Sequence, residues 1–334
     1  MQATNVRLAR VLFNAPSVAL VTSCGIVMSQ IILHIGTHKT GTTSIQKYLS
    51  SLREELLACG ILYPTKGRLR TDPNAPSGHH LLAWSIRNKN GFYGDKYWLE
   101  VLREIDSLNH NVAVLSSEDF ENCSGEQVEK IRHYLEGRSV KIIVYVRNQF
   151  DFTVSRYKQN VKTGNCNLSF RSYLEKTLSR CDYGRLVAPW IRCFGEDHVE
   201  VAVFERARQG AGLEVDFLRR VRPGLEIDYL YLPDRERANV SPDDDQIAIA
   251  RFLNVAEYDV LTNRYVKRFV HKLRRHVITQ TIPGRTFTRL AAPFLPEALC
   301  NDEDRAWLRE AVKPFNAEFL PKYVAPEDWM YFEI

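Results

Sequence analysis

The segment at 31–49, IILHIGTHKTGTTSIQKYL, contains two glycines and a lysine in an order that suits phosphate binding. Gly36 and Gly41 have the separation of the glycines in a Walker A loop, which reads GxxxxGK[ST]. In that loop the lysine follows the second glycine, whereas here Thr42 has that position and Lys39 lies inside the loop. Two interpretations are open: a nucleoside triphosphate site without its lysine, or a complete site for another phosphorylated ligand.

The residues of this segment supply several kinds of hydrogen-bond donor. The two glycines let successive backbone N–H groups point inward at the start of a helix, whose dipole also attracts an anion. Thr42 and Thr43 add hydroxyl groups in the first turn, and Lys39 projects toward a group beyond the phosphate. A turn capped by Thr42 is the purely structural alternative. The candidate nucleotide-binding loop consists of Gly36, Thr37, His38, Lys39, Thr40, Gly41, Thr42, Thr43 and Ser44.

A second pair of candidate residues follows the apolar run VKIIVYV at 140–146. Arg147 comes directly after this run, and Ser155 lies eight residues later in a helical segment that ends near Gly164. A guanidinium at the end of a strand can hold a phosphate dianion through two parallel hydrogen bonds. Ser155, two helical turns on, can donate another bond from the same side. Arg147 alone would suit a surface ion pair, but together with the loop it predicts a second phosphate site.

Four apolar runs rich in β-branched residues predict the strands that position these motifs. They lie at 31–35, 112–115, 140–146 and 199–204, and amphipathic helical patterns separate them. This alternation predicts an α/β fold of the P-loop type, with three layers and a central, mainly parallel sheet. Ligands of such sheets bind at the carboxyl ends of the strands, so the two motifs should meet there.

Capping residues and glycines indicate where other elements begin and end. After the first strand, apolar residues recur at helical spacing from Ile45 to Leu56, and Gly60 stands where a C-terminal cap is expected. Ser124 and Gln127 predict a capping box before a later helix. The stretch at 64–80 is rich in Pro and Gly and predicts a loop over the edge of the sheet.

The chain is predicted to form one domain over 30–334, in which 255–334 is a helical C-terminal extension. Residues 1–29 include an apolar stretch that is too short to span a bilayer. This segment is either a dispensable leader before a start at Met28 or a targeting signal.

The composition is that of a globular protein, with 334 residues, 45% of them hydrophobic, and a net charge of +5. Nucleic-acid binders concentrate far more basic charge on one face, so no nucleic-acid partner is expected. None of the seven cysteines lies in a CxxC pair, which argues against a zinc site or a redox dithiol. A reducing, cytoplasmic location is the simpler expectation, and peripheral association with the inner membrane is left open.

The loop sequence HKTGTTSIQ resembles the 5′-phosphosulfate loop of the sulfotransferases that depend on 3′-phosphoadenosine 5′-phosphosulfate (PAPS), with the approximate pattern PKxGTT. His38 replaces the usual proline, and Ser44 replaces a tryptophan that often follows the threonines. KIIVYVRNQFDFTVSRYKQ resembles the 3′-phosphate motif of that family, with Arg147 and Ser155 in place. VAVFE resembles a later strand of the family, which implies packing of Phe204 against adenine. RANVSPDDDQIAIARFLN resembles bacterial carbohydrate sulfotransferases, and the whole resemblance covers about 30–255.

This resemblance implies transfer of a sulfuryl group from PAPS to a hydroxyl or amine of a carbohydrate or glycolipid. Lys39 would stabilise the leaving phosphate, and no metal is needed. Glu118 is the first candidate for the general base, because relatives carry Glu or His after the corresponding strand; His80 is the second and His79 the third. The structural alternatives are a helix-flanking acid for Glu118 and a helix-capping loop for the histidines.

The stretch at 262–289 contains eight Lys or Arg residues and no acid, with Arg264, Arg268 and Lys272 at four-residue spacing. It is either a solvated helix face or a surface for an anionic acceptor. Arg285 and Arg289 are further candidates for the 3′-phosphate. Two other functions are considered: a P-loop kinase, which the position of Lys39 disfavours, and a non-enzymatic binder of an anionic polymer.

Overall fold

Five parallel strands form the centre of the molecule in the order β2-β3-β1-β4-β5. The computed structural model describes residues 29–69, 77–225, 243–260, 263–279 and 299–334, together with 281, 286, 288 and 290. The strands are β1 (Gln30–His34), β2 (Ile61–Leu62), β3 (Val112–Ser116), β4 (Val140–Val146) and β5 (Val199–Val203). Since β1 lies between β3 and β4, the segments that follow these three strands meet at one edge of the sheet.

Helices connect the strands and continue after the sheet. The first eight are α1 (Thr42–Ser51), α2 (Arg53–Ala58), α3 (His80–Arg87), α4 (Lys96–Ser107), α5 (Gly125–Tyr134), α6 (Gln149–Lys162), α7 (Phe170–Thr177) and α8 (Tyr183–Phe194). The others are α9 (Phe204–Gln209), α10 (Leu213–Val221), α11 (Asp244–Val255), α12 (Arg264–Ile278) and α13 (Asp302–Tyr323). A short 3₁₀ helix, Glu118–Asn122, follows β3.

Alternate residues of the strands bury themselves on the two faces of the sheet. On one face, Ile31 and Leu33 of β1 pack with residues of α3, α4, α5 and α8, including the fully buried Trp98 and Trp190. On the other face, Ile32 packs with residues of α1 and α10. The α/β fold with a parallel central sheet, predicted from the apolar runs, is therefore confirmed, and helices cover both faces.

The described part of the chain after β5 is helical, as the sequence predicts. Aromatic residues of α6 and α7 pack with Ile247 of α11 and with Leu308 and Val312 of α13. Because α6 begins two residues after β4, this cluster connects the C-terminal helices to the strand end that carries Arg147. Residues 1–28 lie outside the described residues, so the prediction of a leader segment stays a prediction.

Two local predictions differ from the structure. The helical pattern from Ile45 to Leu56 forms two helices, because Leu52 leaves the helical conformation between α1 and α2. The two-residue strand β2 is too short to leave a periodic signal in the sequence. By contrast, the capping box of Ser124 and Gln127 is present at the start of α5, and Gly60 has a positive φ of 74°.

Candidate functional site

The candidate loop lies between β1 and α1, at the edge where β3 and β4 also end. Gly36 and Gly41 have φ values of 96° and 75°, and Lys39 between them is also left-handed, at 67°. L-residues other than Asn and Asp rarely adopt such a conformation, so the backbone at Lys39 is held by its surroundings. Gly41 is the N-cap of α1 and no side chain caps this helix. The start of α1 therefore offers uncapped amides at the loop.

Hydroxyl groups inside the loop fix its shape. The Thr40 and Thr42 hydroxyls both donate to the Thr37 carbonyl, at 2.6 Å and 3.1 Å, and the Thr37 hydroxyl donates to the Tyr145 carbonyl of β4 at 3.1 Å. Thr43 is exposed on the first turn of α1. The Ser44 hydroxyl donates to the Glu214 carboxylate of α10. Thr42 thus closes the loop in this structure, while Thr43 faces solvent.

The loop is pressed against the segment that follows β3. A Cβ atom at Gly36 would lie 2.9 Å from the Glu118 Cα atom, so only glycine fits without a shift. Glu121 accepts a hydrogen bond from the His38 backbone N–H at 2.8 Å, and its other oxygen lies 2.7 Å from His38 Nδ1. Arg156 Nη1 of α6 lies 3.0 Å from the same carboxylate. His38 is therefore held by a buried acid, Glu121, that was not among the predicted site residues.

Glu121 stays ionised in this setting. Burial alone would raise the pKa of its carboxyl, but the bonds with His38 and the attraction of Arg156 lower the pKa to about 2. The sequence EDFE at 118–121 contains three acids, and Glu118 was the only one predicted to be a site residue. The alternation of residues in a strand does not predict which of several acids after the strand has its side chain buried against the loop.

Basic side chains surround Lys39. Its ammonium is half-buried and has no hydrogen bond or ion pair with any described residue. Burial lowers its pKa, and repulsion from Lys162, Arg147 and Arg156 lowers the pKa further. Lys162 lies seven residues after Ser155 on α6, and this spacing puts both residues on one face of the helix. The sequence alone could therefore have predicted that Lys162 lies near the site. Because several cations lie close to Lys39, we expect this place to bind an anion.

Arg147 connects the loop with the end of β4. Its Nη1 donates to the Lys39 carbonyl at 3.1 Å, and its Nε lies 3.5 Å from Glu205 Oε1, without hydrogen-bond geometry. Nη2 lies 3.8 Å from the Asp151 carboxylate of α6. Ser155 is half-buried and lies one turn after Asp151, so both point to the side of Arg147. Arg147 thus contacts the loop directly, and the role of Arg147 and Ser155 at a 3′-phosphate stays a prediction.

Phe204, predicted to contact adenine, lies beside the loop at the end of β5. The Arg147 guanidinium lies 5.1 Å from the centre of its ring, and that of Arg208 lies 5.7 Å away. A Cβ atom at Gly41 would be 3.4 Å from the Phe204 ring and 2.2 Å from Leu213. The ring is 7% exposed. It therefore fills the gap beside Gly41, and its contact with adenine stays a prediction.

The candidate bases Glu118 and His80 form one cluster at the end of β3. Glu118 Oε2 accepts a hydrogen bond from Gln46 of α1 at 3.2 Å and lies 3.9 Å from His80 Nε2. His80 Nδ1 lies 2.9 Å from the Ser117 hydroxyl and 3.6 Å from Asp119 Oδ2. His80 is 3% exposed and its Nε2 has no hydrogen-bond partner, whereas the Glu118 side chain is 20% exposed.

Asp119 is the ionised partner of this cluster. It accepts hydrogen bonds from Trp84 at 2.7 Å and from Lys89 at 2.7 Å, and Arg87 lies 3.1 Å away. Burial would raise the pKa of Asp119, but the interactions with His80, Lys89 and Trp84 lower the pKa well below its usual range. A permanent negative charge therefore lies behind the His80 ring.

His79, the third candidate base, uses both of its ring nitrogens within the protein. Nε2 lies 3.0 Å from the Pro64 carbonyl, and Nδ1 accepts a hydrogen bond from the Ser116 N–H at 3.1 Å. Burial lowers its pKa well below the usual value, so the ring is neutral. This histidine joins the loop after β2 to the end of β3 and has no nitrogen left for a substrate.

The part of the basic stretch that contains Arg264, Arg268 and Lys272 forms helix α12, as the four-residue spacing predicts. Arg264, Arg268 and Lys272 are exposed, whereas Arg274 is buried and bonds Glu257 at 2.9 Å. Arg285 and Arg289 lie outside the described residues, so their suggested role at the 3′-phosphate stays a prediction.

Three further findings concern the described residues alone. They contain no group of three or more His, Cys, Asp or Glu residues that could hold a metal ion, and the expectation that no metal is needed stays a prediction. No helix among them has both the length and the apolar character to cross a membrane. Six cysteines, at 59, 123, 166, 181, 193 and 300, are free thiols.

Comparison with known proteins gives structural matches only. No family model and no curated protein matches the chain. Similar solved structures include a sulfotransferase from Alicyclobacillus acidocaldarius, which is 18% identical with a TM-score of 0.37, over 59% of this chain and 86% of that one. They also include mouse sulfotransferase SULT7A1 complexed with PAP, which is 16% identical with a TM-score of 0.34, over 84% of this chain and 88% of that one.

Proposed function

We propose that the protein is a sulfotransferase that moves the sulfuryl group of PAPS to a hydroxyl or amine of a carbohydrate or glycolipid. The observation that carries this proposal is the Lys39 ammonium, which pairs with none of the described residues and lies in a glycine loop near Arg147, Arg156 and Lys162. A ligand at this place must be strongly anionic, and one that reaches from α1 to Arg147 must carry two separate anionic groups.

The geometry around Arg147 favours a nucleotide with a 3′-phosphate over ATP. Arg147 is bound to the Lys39 carbonyl, so the loop and the guanidinium form one continuous surface. If a 5′-phosphate bound to the amides of α1, Arg147 and Ser155 would be available to bind a second phosphate near the ribose. A β,γ-phosphate pair needs a lysine after the second glycine, where this chain has Thr42.

Lys39 would act on the leaving group. In the transfer, a bond forms between the acceptor oxygen or nitrogen and sulfur, and the bond between sulfur and the bridging oxygen of the 5′-phosphate breaks. The electron pair of that bond stays on the phosphate, and a fixed ammonium stabilises the charge that develops there. The lowered pKa of Lys39 makes its proton easier to share with that oxygen.

Glu118 would take the proton of the acceptor. It is ionisable, partly open to solvent and held by Gln46, whereas the His80 ring is buried. His80 then has the role of a positioning residue, with Asp119 behind it and Glu118 in front. The two side chains are 3.9 Å apart, which is beyond direct hydrogen-bond distance, so His80 is assigned no proton in this step. The cytoplasmic location is a further part of this proposal.

The proposal is tested by incubating the purified chain with radiolabelled PAPS and a panel of glycans, glycolipids and small phenols. Transfer of label to a saccharide, and its loss in Lys39→Ala, is the expected result. Label transfer to phenols alone would contradict the proposed acceptor class. A chain that binds PAPS and transfers label to no member of the panel would contradict the proposed reaction.

A further inference from the structure

A cavity of about 580 Å³ opens beside the candidate loop, on the side of β3. Its walls are the segment 121–125 after β3, Ser179, Arg180 and Asp182 before α8, residues of α8 from Arg185 to Arg192, and Thr37 of the loop. Pockets for small ligands are commonly about 300–1,000 Å³. The cavity therefore has room for a ligand of the size of a short saccharide.

The cavity is separate from the cluster assigned to the nucleotide. Lys39, Arg147, Ser155 and Phe204 do not line it, and Thr37 is its one wall residue from the loop. Phe152 of α6 contributes to the wall, and Arg156, one turn further along α6, bonds the cavity residue Glu121. A molecule in this cavity would contact the loop at Thr37.

Three arginines give the cavity its charge. Arg180 Nη1 bonds the Asn122 side-chain oxygen at 3.1 Å and lies 3.7 Å from Glu121. The exposed Arg185 and Arg192 have no acidic partner among the described residues. Two guanidinium groups that are not paired with carboxylates can bind the carboxylate or sulfate groups of a ligand.

The two acids of the cavity wall do not cancel this charge. Glu121 is already neutralised by Arg156 and bound to His38. Asp182 is the N-cap of α8 and accepts a hydrogen bond from the Arg185 backbone N–H at 2.9 Å. Apolar surface from Leu186 and Pro189 lies between the charged groups. Such a surface suits a sugar ring that carries acidic substituents.

We infer that this cavity is the acceptor site and that it selects an anionic saccharide, with a carboxylate or sulfate group held by Arg185 and Arg192. The inference rests on the proposed function for the reaction and deepens it by naming the acceptor class. It also places the anionic acceptor at α8 and not at α12, the helix that the sequence suggests for this role.

Binding of defined probes to the purified full chain tests this inference by calorimetry. One pair of probes is a galacturonic acid trisaccharide and the neutral galactose trisaccharide, and a second pair is galactose 6-sulfate and galactose. The variant Arg185→Gln/Arg192→Gln removes both guanidinium groups. The control Lys47→Gln/Arg103→Gln removes two positive charges from exposed helix positions outside the cavity. Adenosine 3′,5′-bisphosphate is titrated into every sample.

At least one acidic probe should bind about tenfold or more tightly than its neutral partner. The double arginine variant should lose about tenfold or more of this affinity, while the control and the nucleotide affinity stay unchanged. Equal binding of acidic and neutral probes, no binding of either acidic probe, or an unaffected double variant would overturn the inference. If the double variant lost as much affinity for adenosine 3′,5′-bisphosphate as for the acidic probe, the cavity would belong to the nucleotide site. This result would also overturn the inference.

Failure of the proposed function gives a different pattern. A wild-type chain that binds the acidic probes through Arg185 and Arg192, but does not bind adenosine 3′,5′-bisphosphate, would contradict the proposed function while supporting the anion specificity of the cavity.

Discussion

The two sides of the loop differ in the way charge is arranged. On the side of β4, Lys39 and Arg147 are cationic, and Arg147 has donors that no acid satisfies completely. On the side of β3, three acids accept hydrogen bonds from the protein. Glu118 accepts one from Gln46, Asp119 accepts one from Lys89, and Glu121 accepts one from the His38 N–H. The β4 side thus presents cations to the loop, and the β3 side presents carboxylates, of which Asp119 and Glu121 have lowered pKa values.

This difference assigns distinct chemical tasks to two halves of one site. Clustered cations lower the free energy of a bound phosphate, whereas a carboxylate with a fixed orientation can accept a proton. Gly36 lets the halves approach, because its missing side chain allows contact with the Glu118 backbone. If the two sides have these separate tasks, substitutions on the β3 side should change turnover, and substitution of Arg147 on the β4 side should change nucleotide affinity.

The largest effect is expected on the β3 side. Glu118→Gln keeps the shape of the side chain and removes the base, so turnover should fall by about a thousandfold with little change in nucleotide affinity. His80→Ala should lower turnover less and change the pH profile. Initial rates and nucleotide titrations measure both quantities, with the exposed Glu129→Gln as a control. Turnover near that of the wild type in both variants would show that neither residue is the base.

A slightly smaller effect is expected for the loop lysine. Lys39→Ala should lower the rate of a single turnover by between about a hundredfold and a thousandfold, because a fixed charge at the leaving oxygen is lost. The exposed Lys47→Ala on α1 is the matched control. A rate that is unchanged at saturating PAPS would remove Lys39 from the reaction and leave it a role in binding alone.

A binding effect is expected from the β4 side. Arg147→Ala should weaken adenosine 3′,5′-bisphosphate by about a hundredfold through loss of charged hydrogen bonds, while adenosine 5′-phosphate changes little. Arg206→Ala, which removes a more exposed arginine, serves as the control. Equal losses for the two nucleotides would mean that Arg147 supports the loop and does not read the 3′-phosphate.

The smallest effect concerns stability and its pH dependence. Glu121→Gln should lower the free energy of unfolding by about 2 kcal/mol at pH 7, because His38 and Arg156 lose a charged partner. The folded-state pKa of about 2 lies below the ordinary value of 4.5, so this stabilisation is present above pH 4.5 and lost as the pH falls toward 2. Urea unfolding from pH 7 to pH 3 should show the two proteins converging. A constant gap over this range would contradict the ionised state of Glu121.

The sequence predicted the β4 side of the site better than the β3 side. Lys39, Arg147 and Ser155 follow strands at fixed spacing, and strand ends of a parallel sheet meet at one edge, so local patterns were sufficient. Glu121, Asp119 and the cavity arginines depend on how a short 3₁₀ helix and α8 pack. Such contacts join residues more than 30 positions apart, as between His38 and Glu121, and no period in the sequence records them.

The central claim is that the loop and Arg147 bind a 3′-phosphorylated nucleotide. It is tested most directly by thermal and chemical unfolding with adenosine 3′,5′-bisphosphate in EDTA, compared with ATP and magnesium. The account predicts that the bisphosphate alone stabilises the chain, by about 2.7 kcal/mol at a hundredfold excess over its Kd, and that Arg147→Ala loses most of this gain. Stabilisation by ATP with magnesium, and none by the bisphosphate, would contradict the account and favour a kinase.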